Sequence, residues 1–436
     1  MNNKGGGMLK ALDVFLWGTR IGTAYCREGH PIVQFEYSDE IRTFGVEVSP
    51  LVMPLGTTRY EFPDLPIQSF KGLPGLLSDS LPDKFGNKVI AAWLREQGKG
   101  PEDLNALDRL AYTGKRGMGA LEYVPSLLDK EDMGEAVDVQ ELAKLANDVL
   151  KGRSEARAEL KSGMNHYAPI LRVGSSAGGA RAKALIGWNE KTGEVRSGQV
   201  ALPPDFGYWL IKFDGLDGNG DKEGDDKWGY GRVEYAYSLM ARAAGVQMTD
   251  CRLWNRRHFM TQRFDRLPNG GKLHMQTLGG IAHMDFNNPI LYSYEEAFDV
   301  TRRLVNDARA NEQLFRRMAF NVFAWNCDDH VKNISYLMDR DGKWTLSPAY
   351  DMCYAYNPEG DWTSRHQMSV NGKRIGVTDE DLVACAAHGN ISSRRAHTFI
   401  SEVRDAVREW TKFAAEAEVK DEFVAKIGAR LAEEAK

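Results

Sequence analysis

Long apolar runs are missing from this chain: no stretch approaches the ~18 residues that cross a bilayer, and the Met1–Gly7 leader (MNNKGGG) has no hydrophobic segment of signal-peptide type. Paired cysteines are missing too. Cys26, Cys251, Cys327, Cys353 and Cys385 are scattered with no CxxC, which does not make a zinc pattern and suits a reducing cytosol better than a disulfide framework. None of the nine histidines falls in HExxH spacing, so no transition-metal site is expected. Positive charge is not in excess: 56 Lys and Arg against 61 Asp and Glu give a net charge of −5, which removes a global field towards nucleic acid or membrane and leaves a local basic patch open. No internal repeat suggests a solenoid. What remains is ordinary globular composition, 42% hydrophobic and 27% charged, with length for two or three packed units. A cytoplasmic protein that does not contact membrane is expected.

The first ~60 residues alternate β-rich stretches, 11–17 and 32–37, with glycines, as in a small meander of strands. A Pro- and Gly-rich stretch (FPDLPIQSFKGLPGLLSDSLPDKFGNK) then enters a helix over 89–96. Ala, Leu, Glu and Lys at helical spacing over 137–160 give way to Gly, Ser and Ala, which marks a boundary near residue 165. A short apolar strand, 209–213, precedes the polar segment 214–231, which cannot bury a core and reads as a mobile loop. Within it Asp217, Asn219, Asp221 and Glu223 imitate a calcium loop. Lys222 and Trp228 stand where that loop needs Gly and Glu, so a charged loop is the better reading. Further helices are expected over 232–244, 295–326 and 394–436, and strands near 250–255 and 259–264. The expected fold class is α+β in three parts: residues 1–165, β-rich with connecting helices; 166–265, strands about a glycine-rich segment and a helix; and 266–436, mainly helical.

The segment 327–351 (CDDHVKNISYLMDRDGKWTLSPAYD) carries the strongest chemical signal, because an apolar helix ends there and polar residues begin at once. Asp328 and Asn333 are five apart, the spacing of the catalytic Asp and metal-binding Asn of a protein-kinase catalytic loop. A hairpin over 334–346 would return the chain so that Asp351 approaches Asn333, and an Asn with an Asp offers the hard oxygens that magnesium prefers. Singly, each of these residues also fits a turn cap or a solvated loop. Upstream, Lys212 lies in an apolar strand where a cation needs an anion, with Glu234 as its natural partner. The same lysine also suits an edge strand along which its stem snorkels. Gly178 and Gly179 in GSSAGGARAK are the candidates for a phosphate cradle of backbone amides.

These residues resemble the HipA-type serine/threonine kinases, toxins of bacterial toxin–antitoxin pairs, in the blocks GLPGLLSDSLPDKF, SAGGARAK, WLIKF, RFDR, DDHVKN and SPAYD, in that order. The resemblance implies a two-lobed, protein-kinase-like (HipA-like) fold, with a small N-terminal β-rich subdomain that faces an antitoxin and a helical C-terminal lobe. It implies that Lys212 binds the ATP phosphates, that Asp328 is the catalytic base, and that Asn333 and Asp351 hold Mg2+. Adenine would meet backbone near Gln262 and Phe264. His330 and Lys332 match the family's catalytic loop, and Ser176 its autophosphorylated serine. A separately encoded helix-turn-helix antitoxin would be the partner, with DNA reached only through it, and an aminoacyl-tRNA synthetase is a family substrate. Arg181 and Ala182 stand where Gln and Glu are common, and Asp329 where Ala is common. A catalytically quiet antitoxin-binding module and a small-molecule phosphotransferase are the competing functions.

Overall fold

The computed structural model describes residues 8–434 except 28, 128–135, 152–166, 175–178, 180, 217–219, 222–223, 226–228 and 289. The expected boundary near 165, the loop residues Ser176 and Gly178, and most of the calcium-like segment lie outside the described residues.

The chain opens with Ala11–Leu16, in which Leu12, Val14 and Leu16 alternate inward as a half-buried strand requires. Trp17 and Gly18 both take positive φ, 51° and 86°, a two-residue turn of the twist that hairpins favour, and the chain returns along Thr19–Cys26. Val33–Tyr37 and Arg59–Tyr60 extend this antiparallel sheet on one side. Its other edge is Leu121–Val124, which pairs with Ala11–Leu16 after more than a hundred residues. That strand is too short and too close to a glycine run to be read from periodicity.

A second antiparallel sheet runs Cys251–Trp254, His258–Gln262, Gly207–Lys212, Lys183–Trp188, Val195–Ser197. Gly207–Lys212 is its central strand, so the edge-strand account of Lys212 does not apply. Side chains alternate along it. Trp209 and Ile211 pack with Phe85, Val89, Leu142 and Ile170, from the helices Lys84–Glu96, Val139–Lys151 and Ala168–Val173. Leu210 and Lys212 therefore take the opposite face.

The rest is mostly helical. In Ala308–Phe323 the side chains of Leu314, Phe315, Met318, Phe320 and Val322 are all buried, so it is the central helix of the lobe. The helix expected over 295–326 is two, Tyr294–Leu304 and Ala308–Phe323, because Asp307 caps a fresh start. The expected C-terminal helix is three: Ser393–Arg408, Trp410–Glu416 and Asp421–Glu434. Amphipathic spacing continues through both breaks, so periodicity does not reveal them. A three-stranded sheet, His274–Thr277, Ser335–Met338 and Trp344–Leu346, closes the lobe and contains the expected hairpin. No helix among the described residues is long and apolar enough to cross a membrane.

The first unit is docked on this last sheet by polar contacts across the interface. Trp17 Nε1 donates to the Lys272 carbonyl at 2.7 Å and Trp344 Nε1 to the Glu47 carbonyl at 3.2 Å. His274 Nε2 lies 3.2 Å from the Val48 carbonyl, and Gly75 N–H donates to His283 Nε2 at 3.0 Å. Gly75 has to be glycine, since a Cβ there would lie 2.0 Å from the Gly280 carbonyl oxygen.

Burial pushes His258, His274 and His283 down to about 4 from the ordinary 6.5. Each is neutral in the fold and gains a proton on unfolding, so the contribution to stability is complete above pH 6.5 and is lost as pH falls through about 4. The expected outcome is a melting temperature clearly lower at about pH 5 than at about pH 7.5, read by circular dichroism, with the difference reduced when His274 and His283 are both replaced by Gln.

Candidate active site

Between the second sheet and the helical lobe lies a cavity of about 1800 Å³. Its lining includes Gly179, Gln262 and Phe264 from the sheet side, and Asp328, His330, Lys332, Asn333 and Asp351 from the lobe. Lys212, on the central strand, meets it through Asp351.

Lys212 Nζ lies 2.6 Å from Glu234 Oε1, on the helix Tyr230–Ala243, and also bonds the Asp351 carboxylate across the cleft. Burial works against its charge, but Asp351 and Glu234 together hold the ammonium well above the ordinary lysine range. Arg181 Nη1 joins the same carboxylate, 3.1 Å from Glu234 Oε2. One buried anion thus serves two cations.

The loop from Asp328 to Asn333 is closed on itself. Asn333 Nδ2 donates to the Asp328 carbonyl at 2.7 Å and Asn333 N–H to the His330 carbonyl at 2.8 Å. With its NH2 end so engaged, the Asn333 side chain presents its oxygen as an acceptor. Lys332 N–H donates to His330 Nδ1 at 3.2 Å, and Lys332 Nζ lies 3.8 Å from Asp79 Oδ1 and 4.6 Å from the Phe286 ring centre. The Asp328 carboxylate accepts from Trp362 Nε1 at 2.8 Å. Asp351 sits at φ 56°, a conformation that Asp tolerates better than most residues, and Asn326 Nδ2 donates to its carbonyl at 3.4 Å.

At the other end, Gln262 N–H donates to the Asp250 carbonyl at 2.8 Å and Arg263 N–H to the Tyr208 carbonyl at 2.9 Å. Among the described residues nothing accepts from the Phe264 N–H, while the Phe264 ring rests 5.6 Å from that of Tyr350. Tyr350 O–H donates to the Lys332 carbonyl at 2.6 Å, which ties this end to the Asp328 loop. A planar base would find a backbone donor and a ring wall here.

The residues fit a nucleotide with a hard divalent cation. Among the described residues no three His, Cys, Asp or Glu side chains converge on a metal position. Magnesium, however, takes one or two protein oxygens and completes its shell with phosphate and water, which the Asp351 carboxylate and Asn333 amide oxygen allow.

Comparison with known proteins places this geometry in a family. The HipA-like C-terminal domain matches residues 175–411, and the HipA N-terminal domain matches residues 12–124. The chain belongs to the HipA family. No curated protein matches it. Among solved structures, HipA in the toxin–antitoxin complex of Shewanella oneidensis with HipB and operator DNA superposes with a TM-score of 0.66 at 16% identity, covering 97% of this chain and 96% of that one. The Helicobacter pylori proinflammatory kinase CtkA gives 0.34 at 10% identity, over 52% of this chain and 86% of that one. The fold is α+β, two-lobed and HipA-like, with the small β-rich subdomain of HipA proteins in front.

Within this HipA-type site, three side chains with no role assigned from sequence stand close to the expected ones. Asp79, inside the block GLPGLLSDSLPDKF, accepts from Thr277 N–H at 2.7 Å and faces Lys332; burial pushes its carboxyl up. The block itself was the available signal, but nothing local says that it reaches the loop. Trp362 touches Asp328 from 34 residues downstream and carried no signal at all. Arg181, a departure from the family pattern, shares Glu234 with Lys212. The other departure, Asp329, turns away from the cleft: it is buried and accepts from Tyr294 O–H at 2.8 Å and Gln367 N–H at 2.7 Å, with His366 Nδ1 at 3.1 Å. It thereby anchors the segment that carries Trp362.

Replacing Glu234 by Ala removes the anion that Lys212 and Arg181 share. The expected cost is about 3–5 kcal/mol of unfolding free energy, as for other buried pairs broken on one side, measured by urea denaturation.

Proposed function

We propose that this HipA-family chain is an ATP- and magnesium-dependent serine/threonine protein kinase, the toxin of a toxin–antitoxin pair. The observation that carries the reading is Lys212, held between Glu234 on a helix of the N-lobe and Asp351 on the opposite side of the cleft, above the Asp328–Asn333 loop. A structural lysine needs one counter-charge; one that spans the cleft is placed to exchange a carboxylate for phosphate oxygens.

The nucleotide, bound with its magnesium, supplies the γ-phosphoryl group. Asn333 and Asp351 would hold the cation, Lys212 the phosphates, and the Phe264 N–H with the Gln262 carbonyl the adenine. Gly179, where a Cβ would lie 3.0 Å from Lys183 Nζ, leaves backbone and a second lysine facing the same space. Asp328, oriented by the Trp362 indole N–H, accepts the proton of the attacking hydroxyl. Lys332 sits beside it, with His330 Nε2 at 3.9 Å from Asp328 Oδ1.

Ser176 would be the autophosphorylated residue. Phosphate on this serine, in the segment proposed to cradle phosphates, would add about −1.5 to −2 charges and so lower nucleotide affinity. A helix-turn-helix antitoxin, encoded separately, is the proposed partner; the Shewanella protein is seen with HipB and operator DNA. An aminoacyl-tRNA synthetase remains one candidate substrate. The proposed units are 1–165, 166–265 and 266–436.

Labelled ATP with the purified chain tests this. Asp328→Ala is expected to keep nucleotide affinity while transfer falls by about 10²–10⁴-fold. Asp351→Ala should weaken nucleotide binding only when magnesium is present, as read by calorimetry. Near-wild-type transfer in the first variant removes Asp328 from the chemistry. Trp362→Phe, which keeps the ring and loses the N–H, should lower kcat about 10-fold with KM for ATP unchanged. Mass spectrometry should find phosphate on Ser176 in the wild type and not in Asp328→Ala; an unmodified loop in active enzyme would sink the autophosphorylation.

A further inference from the structure

The cavity that contains Asp328 and Asp351 extends well beyond the space of a nucleotide. Sites for ligands of that size occupy ~300–1,000 Å³, against about 1800 Å³ here. Past Lys332 and Asp79 it continues as a groove between the first unit and the helix Lys84–Glu96, as far as Met8, Arg27 and Arg109.

Charge separates along this groove. Three of the anionic lining residues, Asp79, Asp328 and Asp351, lie at the catalytic end, where Lys332 faces Asp79 and Lys212 faces Asp351, while Asp83, at the junction before Lys84, is buried against Lys183 at 3.1 Å. The outer arm is lined by Lys10, Arg27, Lys71, Lys84, Lys88 and Arg109, with no carboxylate among its described lining residues. These cations converge from five places in the chain. Lys84, Lys88 and Ala91 fall on one face of their helix, while Phe85, Val89 and Ile90 are buried on the other. Among the described residues, Arg27, Lys71, Lys84 and Lys88 have no carboxylate at ion-pair distance. Arg109 is partly buried and donates only to neutral acceptors, Asn87 Oδ1 at 2.6 Å and the Pro101 carbonyl at 3.0 Å. In a chain of net charge −5 such a cluster is a local feature with an anionic counterpart to find.

The uncharged wall selects among anions. It is aliphatic: Met8, Leu9, Ile67, Leu81 and Leu104. The lining Phe, Tyr and Trp rings, Phe264, Phe286, Tyr350 and Trp362, are all at the catalytic end, so the outer arm offers a base only the single imidazole of His30 and no stacking platform of larger rings. Cations with aliphatic surface suit an acidic peptide better than a nucleic acid.

We propose that this groove docks the phosphoacceptor segment of the protein substrate, an acidic peptide whose Asp and Glu side chains alternate with aliphatic ones beside the serine or threonine at Asp328. The assignment rests on the kinase reading of the same cavity.

The test uses the full chain and a fluorescein-labelled serine peptide rich in Glu and Leu, with the same peptide carrying Gln for every Glu, read by anisotropy. At low salt the Glu peptide should bind at least about tenfold tighter, and the preference should fade as the Debye length shortens to ~8 Å at physiological ionic strength. Lys84→Glu with Lys88→Glu, both on the exposed helix face, should abolish the preference while melting temperature and ATP affinity stay unchanged; Lys88→Gln alone should weaken it. Equal binding of the two peptides, or a preference that survives the double variant, overturns the proposal. So does a single-stranded oligonucleotide that binds tighter than the Glu peptide and is lost in the double variant. Separate ATP titrations keep the two readings apart. ATP binding without the peptide preference overturns the groove alone. Peptide preference without ATP binding overturns the kinase reading, and with it the peptide's role as phosphoacceptor.

Discussion

Asp265 is a fully buried carboxylate between two guanidinium groups, and three parts of the molecule meet on it. Arg263 donates to it through Nε at 2.9 Å and Nη2 at 2.8 Å, and Arg266 through Nη1 at 2.7 Å. Burial opposes the charge, but the two arginines overcome it and hold the carboxyl far below its ordinary range. Gly119 N–H donates to the same carboxylate at 2.7 Å, and the arginines go on to the carbonyls of Gly117, Gly119 and Gly198. The first unit, the second sheet and the connection to the helical lobe are thereby joined at one point, one residue beyond the Phe264 N–H. A buried charge tolerates little displacement, because every shift leaves an ion without its partner.

That fixed point bears on the cleft. Because Arg263 and Asp265 flank Phe264, the Phe264 end of the cavity is as rigid as the ionic cluster beneath it. The opposite wall depends on docking of the first unit, where Gly75 meets Gly280, and where Asp79 reaches Thr277 and Lys332. The small β-rich subdomain is thus a wall of the cavity. Ionic contacts within the cleft are of a different kind: Lys212 between two carboxylates is a charge arrangement that a bound phosphate would rearrange.

Much of the fold could be read from local pattern. The alternation of Leu12, Val14 and Leu16 marks a strand, and Gly245, at φ 76°, marks the end of the helix Tyr230–Ala243. The apolar helix ending at Phe323 locates the polar loop after it. Where the structure differs, the deciding contact is distant in sequence. Leu121–Val124 is a strand because Ala11–Leu16 offers it an edge.

For the site, the sequence alone determined the residues that act through short-range geometry. The five-residue step from Asp328 to Asn333 closes one loop, a hairpin returns Asp351 to it, and a lysine in an apolar strand requires an anion, all consequences of backbone geometry and desolvation within a few tens of residues. Tertiary structure decided the rest. It chose Glu234 and Asp351 together as the partners of Lys212, brought Asp79 and Trp362 to the Asp328–Asn333 loop, set Asp329 aside as an internal anchor, and gathered cations from five separate segments into one groove. These depend on how packed units meet, and the placement of a side chain across such an interface is encoded in the shape and burial of both surfaces, which no single stretch of sequence contains.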